Sequence, residues 1–580
     1  MYEIVVGRSE SDRKALGIQG TVFLGKHYVR MGPATSLSNK IYLDVAKTHV
    51  VLVAGKRGCL TPDTRIMTDI GYKEIKNFDK LKDKILTFNK ETQSFDYSNA
   101  ALIRYSLDNE EVIKFVLEDD TFIQTTLEHP LLILEEDKLK WKEAWKIKDS
   151  EILIAKEEDA KGIFYKKIKN ITKNYNISEV YDLTVPSTHS FVANGIISHN
   201  SGKSYTLGVV AEEMADLPTE VKNKIAVLMI DTMGIFWTMR FPNVKEEDLL
   251  EEWELPKKPL DIDIYTPAGY YKQYKEKGIP ADYPFTINPT ELSTLDWCNS
   301  FGINIIEPIG VAIESTLAKL KEEKENYSVD DVIEHLGSNK NLDENTKLAT
   351  INRFLAAKGW GIFSEESTPI KQIVKGGKVS VLDISAYAEW SVKTLVTGLI
   401  CKKLMQERVI ARKKEELEDV ERGHSYFKTS LETTGGETPL VWILIDEAHE
   451  FIGKEKTAAT DALVTILREG RQPGISLILA TQQPGEIHKD VITQTDIVIS
   501  HRLTAKRDLV ALNSMMQSYL YGDMSKYFNM LPRMRGSAII LDDNSERIYP
   551  LQVRPRFTWH GGEAPTALKP KGKAAEELGF

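Results

Sequence analysis

Two short segments far apart in the chain carry the halves of one phosphate-binding pattern. Gly55-Lys-Arg-Gly58 follows the β-branched apolar run Val50-Val-Leu-Val-Ala54, and Ser201-Gly-Lys-Ser204 opens a stretch of helical periodicity from Tyr205 to Met214. Joined directly, Gly58 to Ser201, they read Gly-Lys-Arg-Gly-Ser-Gly-Lys-Ser, which satisfies G-x-x-x-x-G-K-[ST] between a strand and a helix. Glycines at those places let backbone N–H groups turn inward around phosphate oxygens at the positive end of the following helix. Lys203 would bring a point charge to the phosphates, and the Ser204 hydroxyl a ligand for Mg²⁺. The candidate nucleotide-contacting set is therefore Gly55, Lys56, Arg57, Gly58, Ser201, Gly202, Lys203, Ser204 and Tyr205. In the chain as written, that loop does not exist.

Between the halves lie the 142 residues Cys59–Asn200. The ends of this insert are reactive. Cys59 offers a thiol nucleophile at its first position, His199-Asn200 closes it, and Ser201 beyond carries a hydroxyl. An asparagine side-chain amide can attack its own backbone carbonyl and cleave the chain after itself, with a neighbouring imidazole as proton donor or relay. An ordinary domain inserted into a loop explains neither these junctions nor the interruption of a nucleotide site.

Four ordered blocks within the insert resemble those of inteins, the self-splicing protein elements. They are Cys59-Leu-Thr-Pro-Asp-Thr-Arg-Ile66, Thr126-Leu-Glu-His129, Val180-Tyr-Asp-Leu-Thr-Val185 with His189-Ser-Phe-Val-Ala-Asn-Gly195, and Ile196-Ile-Ser-His-Asn200 before Ser201. The resemblance implies roles residue by residue. Cys59 attacks the Gly58 carbonyl, Thr126 and His129 polarise that peptide bond, and Ser201 takes the acyl group. Asn200 then cyclises with help from His199 and His189, and Asp182 couples the two halves of the reaction. No cofactor is implied for splicing. No LAGLIDADG-like pair of acidic helices is present, so the resemblance implies a mini-intein without a homing endonuclease. The Lys- and Glu-rich stretch from about Leu131 to about Ile177 is expected to be the linker in its place. The implied fold is the all-β horseshoe of the Hint type, and alternation in Ile113-Lys-Phe-Val-Leu-Glu118 agrees with strand.

Outside the insert, strand and helix patterns alternate as in a parallel sheet covered by helices. Apolar runs end in polar residues at Ile225–Asp231, Val379–Ser385, Leu440–Asp446 and Ile475–Thr481, and a further run covers Asp496–Ser500. Carboxyl ends of parallel strands are where such folds place their chemistry. Asp446 is a candidate to hold Mg²⁺ through water, and Glu447 to polarise the attacking water. Gln482, at the end of the next strand, would sense the γ-phosphate. Arg468 and Arg471 precede that strand, and if subunits form a ring one of them, with Arg471 favoured, would reach a neighbouring subunit's γ-phosphate. The competing reading is a surface arginine paired with Glu469.

The order phosphate loop, Asp-strand, Ile-Asp-Glu-Ala, Arg-Glu-Gly-Arg-x-x-Gly-Ile-Ser, Ala-Thr-Gln-Gln-Pro resembles the HerA/FtsK group of ring ATPases, nearest to HerA-like DNA translocases, from about Leu43 to about Arg554. That resemblance implies an α/β RecA-like core with a parallel sheet, ATP and Mg²⁺ as cofactors, a homo-hexamer, duplex DNA as the partner and a NurA-like nuclease beside it. Two departures stand out. Thr232-Met-Gly-Ile235 follows Asp231 where the family has Asp-x-x-Gly-Glu, and only about 45 residues precede the first core strand. That leaves room for a reduced N-terminal β-barrel at most, within Glu3 to Met31, and the barrel is what engages the nuclease. A protein-pumping ATPase of the same superfamily is the alternative. A DEAH-box helicase, suggested by Asp446-Glu-Ala-His449, is disfavoured because no second-domain Gln…Gly-Arg…Arg motif follows.

The expected order is thus 1–42 short N-terminal β segment, 43–58 first strand and half-loop, 59–200 mini-intein, 201–244 second half-loop and core, 245–375 mixed insertion, 376–554 core with the acidic strand end, and 555–580 tail. Tyr270–Lys277 could stack on nucleic acid, though interleaved acids favour a solvated helix face. The basic tail Lys569-Pro-Lys-Gly-Lys573 is expected to be a flexible end. Composition sets the outer limits. The 580 residues hold 75 Lys+Arg against 85 Asp+Glu, a net charge of −10, which argues against a generally basic nucleic-acid coat but not against a local basic groove. Three cysteines cannot build a disulfide framework or a four-cysteine zinc site. The start lacks a signal-peptide core and no apolar run approaches the roughly 20 residues of a membrane span. A soluble, cytoplasmic protein is expected.

Overall fold

The computed structural model describes residues 3–561 apart from 32–33, 56–58, 80–81, 90–93, 99, 107–110, 128, 136–137, 157–162, 175–176, 178, 185–189, 200–202, 425–437, 502, 504–505, 516–526, 528–530 and 533–535. The chain divides into two compact units. One gathers Met1–Ala54, Thr206–Ser500 and Leu531–Gly561, and the other is built on Gly55–Tyr205. The division falls a few residues outside the insert's reactive ends, so both half-loops group with the insert.

The host unit is organised by one 13-stranded sheet. Its strands are β1 (Ile4–Val6), β2 (Thr21–Met31), β3 (Ala34–Asp44), β4 (Val50–Ala54), β5 (Ile225–Asp231), β6 (Ile262–Pro267), β7 (Tyr283–Phe285), β8 (Val379–Asp383), β9 (Leu440–Ile445), β10 (Ile475–Thr481), β11 (Ile497–His501), β12 (Ser537–Asp542) and β13 (Arg547–Val553). They lie in the order β1-β3-β2-β13-β12-β11-β4-β10-β9-β5-β8-β6-β7. From β11 to β7 every pairing is parallel. Strands β4, β5, β8 and β10 are buried at every residue, as expected of near-continuous Val/Ile/Leu runs covered on both faces.

Three sequence expectations need correction here. The N-terminal segment does not close as a reduced barrel. Strands β2 and β3 pair antiparallel, β2 pairs with β13, and the group extends the host sheet across the expected boundary at residue 42. Residues 245–375 are not purely an insertion, because β6 and β7 pair onto β8 and widen the parallel sheet. Between them and β8, helices Thr294–Phe301, Pro308–Glu323, Val329–Ser338 and Glu344–Lys358 pack around Trp297, Phe301 and Phe354. The segment after Arg554 is not a free tail, since Arg556, Phe557 and Thr558 are buried. Lys569–Lys573 lies outside the described residues.

Tyr270–Lys277 overlaps the helix Ala268–Glu276. Tyr271 donates its hydroxyl to the Asp282 carbonyl at 2.9 Å, and Tyr270 stacks edge-on against Tyr387. The tyrosines pack inward while the lysines face solvent, so the solvated-face reading holds. No helix among the described residues is long and apolar enough to cross a membrane.

The insert unit is all-β, with antiparallel pairings and two single 3₁₀ turns at Ile75–Asn77 and Ala144–Lys146. The stretch expected to be a linker is instead structural. Pro130–Glu135, Lys138–Glu143, Ile152–Ala155 and Phe164–Asn174 are strands of its main sheet, and Leu131, Leu132 and Ile133 are fully buried. Lysines and glutamates pair across the partly exposed faces of those strands, as in Lys140–Glu135 and Lys142–Glu135. High charge around them concealed strands that are buried at consecutive residues, as in Pro130–Glu135 and Ile152–Ala155.

Candidate functional sites: a splicing junction and an acidic strand end

In the insert, the junction is built by strand pairing around Cys59. Leu60 exchanges both backbone hydrogen bonds with Tyr181, N to O at 2.8 Å and O from N at 2.7 Å. On the other side Thr126 N donates to the Cys59 carbonyl at 2.9 Å, and Thr61 N to the Gln124 carbonyl at 3.3 Å. Cys59–Thr61 is thus threaded between the strand Phe122–Thr126 and the strand Glu179–Thr184. The Cys59 side chain is buried with Val112 and Val180.

This threading places one side chain on the bond that would be cut. The Cys59 backbone N–H, which belongs to the Gly58–Cys59 peptide, donates to Thr126 Oγ1 at 2.7 Å. His129 is fully buried, its N–H donates to the Thr126 carbonyl at 3.2 Å, and it opens the strand Pro130–Glu135. That strand pairs Leu131 with Ser198 on the last strand of the insert, Ile196–His199, where Ser190 lies opposite His199. The backbone therefore brings the carriers of Thr126, His129 and His199 into one sheet. Asp182 occupies the strand Glu179–Thr184, one residue beyond Leu60's partner Tyr181. Only the backbone of Asp182, His199 and Lys203 is described, and His189, Asn200, Ser201, Gly202, Lys56, Arg57 and Gly58 lie outside the described residues. Gly55 follows β4, while Ser204 and Tyr205 form the first turn of the helix Lys203–Ala215.

In the host unit, polar residues stand in a row at the carboxyl ends of β10, β9, β5 and β8. Asp446 is buried, and its Oδ1 accepts the Glu447 N–H at 2.9 Å. Glu447 has left-handed backbone, φ 50° and ψ 45°, sparsely populated by non-glycine residues and typical of strain held at functional positions. Gln482 Nε2 donates to Glu447 Oε1 at 2.6 Å. Glu447 Oε2 is buried and accepts no hydrogen bond among the described residues, with His449 Nδ1 3.7 Å away. Thr481 and His449 meet at 3.2 Å behind this pair. The sequence-predicted Glu447 and Gln482 are thus one hydrogen-bonded unit.

A second acidic group was missed as a pair. Asp231 and Asp383 are register partners at the ends of β5 and β8, both buried. Asp231 accepts the N–H groups of Met233, Gly234, Ile235 and Phe236, so it holds the turn that follows its strand. Burial first and the Asp383 charge second push Asp231 up to about 7. Burial also raises Asp383, against hydrogen bonds from Ser385. Lys393 is buried alongside, donates to the Thr232 carbonyl at 3.0 Å and is lowered by burial. Two strand-final aspartates on β-branched runs were the available signal, but their adjacency needed the strand order.

The two arginines occupy the amino-terminal side of β10. Arg468 Nη2 pairs with Asp490 at 2.6 Å, while Arg471 Nη2 donates to the Gln494 carbonyl at 2.9 Å and stands 3.7 Å from Asp496. Neither pairs with Glu469 in these contacts. Within one copy they are separated from Gln482 by the full length of the strand.

Comparison with known proteins agrees with this division. Residues 65–200 match the family model for the intein splicing domain, and residues 201–404 match that for the central domain of helicase HerA. The chain is similar to the DNA double-strand break repair helicase HerA of Pyrococcus furiosus, 28% identical over 166 residues, which cover 27% of this chain and 29% of that protein. It is also similar to the probable DNA double-strand break repair helicase HerA of Methanocaldococcus jannaschii, 30% identical over 146 residues, covering 23% of this chain and 27% of that protein. The chain thus spans less than a third of the length of these curated relatives. Among solved structures, a DnaB intein from Synechocystis is 25% identical, covering 25% of this chain and 99% of that one, with a TM-score of 0.22. The chain is of the HerA type interrupted by an intein: residues 65–200 belong to the intein splicing domains and residues 201–404 to the HerA central domains.

Proposed function

We propose that this chain is a precursor that excises residues Cys59–Asn200 and ligates Gly58 to Ser201, completing the phosphate loop of a Mg²⁺-dependent ATPase. The observation that carries the reading is the Cys59 N–H held on Thr126 Oγ1, which puts a hydroxyl on the scissile peptide nitrogen while the thiol is buried beside it. The Cys59 sulfur attacks the Gly58 carbonyl carbon, the C–N bond breaks, and a thioester and a free Cys59 amine result. His129 is the candidate to deliver the proton that the departing nitrogen takes up. The Ser201 oxygen then displaces the Cys59 sulfur to give an ester. The Asn200 side-chain nitrogen attacks its own carbonyl, releasing the Ser201 amine and closing a succinimide, with His199 and His189 relaying protons. That amine attacks the ester and restores a peptide bond.

In the ligated host, Lys203 binds the phosphates. Ser204 would hold Mg²⁺ by its hydroxyl and Asp446 through water, oxygen donors that suit this hard ion, which would neutralise charge on the phosphate oxygens. Glu447 Oε2, buried without a donor among the described residues, is the acceptor for the proton of an attacking water, and Gln482 fixes the carboxylate through Oε1. The parallel sheet with its acids at strand ends supports a RecA-like core. The HerA similarity supports a hexameric translocase on duplex DNA, with Arg471 or Arg468 acting across a subunit boundary. A NurA-like nuclease as partner rests on that similarity alone. The test is ATP turnover by the ligated chain with and without duplex DNA across a salt series. The expected result is stimulation that weakens as salt rises. Turnover indifferent to DNA at every salt concentration contradicts the motor reading and favours a protein-pumping ATPase.

A further inference from the structure

The helix that carries the second half of the phosphate loop, Lys203–Ala215, enters the host unit at Thr206. Two and a half turns beyond Lys203, Glu212 is completely buried and takes five hydrogen bonds from the far end of the chain. Its Oε2 accepts Arg554 Nη1 at 3.1 Å and the Phe557 N–H at 3.2 Å. Its Oε1 accepts Arg556 Nε at 3.0 Å, the Thr558 N–H at 3.1 Å and the Thr558 hydroxyl. Arg554 also donates to the Val209 carbonyl at 3.3 Å and pairs with Glu213 at 3.0 Å. Glu213 in turn accepts the Phe23 N–H at 3.2 Å on β2. A Cβ at position 208 would stand 2.5 Å from the Arg556 guanidinium, so glycine is what lets the arginine lie against this helix face.

Two carboxylates balance two guanidinium groups, and Glu212 is saturated with donors. A buried ionic network of this kind specifies one orientation where apolar packing alone would tolerate several. It is also complete in the unspliced chain, on a helix whose first turn holds Lys203 and Ser204. We propose that Glu212 is a positioning residue of the phosphate loop. Through Arg554 and Arg556, the segment Arg554–Thr558 fastens the loop's helix in its working orientation before ligation, so that splicing joins the loop without refolding the host. The proposal rests on the phosphate-loop reading above.

Two measurements test it, one of them independent of nucleotide. Hydrogen exchange of the helix amides from Leu207 to Met214 should be equally protected in a splicing-blocked precursor and in the ligated chain. Glu212→Gln should lower that protection at least tenfold in both. In the ligated chain Glu212→Gln should raise the KM for ATP at least tenfold with kcat within threefold. The double variant E212Q/R556Q, which removes one charge of each sign and leaves Arg554 with Glu213, should bring both readouts back to within threefold. If Glu212→Gln does not fold, Thr558→Val removes one hydroxyl, which donates to Glu212 and accepts Arg556 Nη2 at 2.8 Å, and should raise KM about threefold. Unchanged KM and exchange in these variants, or helix protection that arises only after ligation, overturns the proposal. A ligated wild-type chain that turns over no ATP, but whose helix exchange behaves as stated, overturns the ATPase reading and leaves the fastening supported.

Discussion

The insert and the host make their sites in opposite ways. In the insert the backbone around Cys59, the proposed nucleophile, is a rung of an antiparallel ladder. Cys59 is positioned because its neighbours Leu60 and Thr61 are paired on both sides, and Thr126 reaches the peptide nitrogen from the adjoining strand. In the host, parallel strands bring Asp446, Gln482, Asp231 and Asp383 to one end of the sheet, but the working geometry arises just past the strands, in the left-handed Glu447 and the Glu447–Gln482 bond. The first arrangement is fixed by main-chain pairing and tolerates little change at the junction. The second is tuned by side chains and should fail by degrees.

That contrast can be broken most severely at the junctions. A Cys59→Ala, Asn200→Ala chain should remain full length on a denaturing gel, with splicing below detection, and should not bind ATP tightly. Tight binding by the uncut variant would contradict the split-loop account. Next in size, Glu447→Gln in the ligated host should lower ATP turnover at least 100-fold while nucleotide binding persists, within the range of lost general-base catalysis. Loss of both together would mean that the residue serves binding instead.

Thr126→Val should slow the first acyl shift about tenfold, within the worth of a hydrogen bond on a reacting group, and Thr126→Ser should recover most of the rate. Equal rates for valine and serine would remove the hydroxyl from the mechanism. The smallest expected effect concerns the buried acid pair. Asp231 holds its proton up to about pH 7 in the folded chain but releases it near 3.8 when unfolded. The folded state therefore binds more protons between those values, and this pair costs stability as pH rises through that window. Asp383→Asn should reduce the fall in urea midpoint between pH 5 and pH 8. An unchanged fall would show that the pair does not titrate together.

Much of this was legible in the residues. The parallel strands announced themselves as β-branched runs ending in polar residues, and the intein blocks pointed to the splicing domain that residues 65–200 match. Three things were not legible. Charged residues on partly exposed strand faces hid the strands of 131–177. The adjacency of Asp231 and Asp383 depends on β5 and β8 being neighbours although some 150 residues separate them in sequence. Glu212 is one of two adjacent acids on the helix Lys203–Ala215, and its partners Arg554 and Arg556 lie more than 340 positions away. In each case the missing information was long-range pairing, which local periodicity does not carry.

The most direct test of the central claim is mass spectrometry of the expressed product. The account predicts an excised fragment Cys59–Asn200 ending in a succinimide or its hydrolysis product, and a ligated host containing a Gly58–Ser201 peptide bond. A stable, uncut 580-residue chain that nevertheless hydrolyses ATP would contradict it.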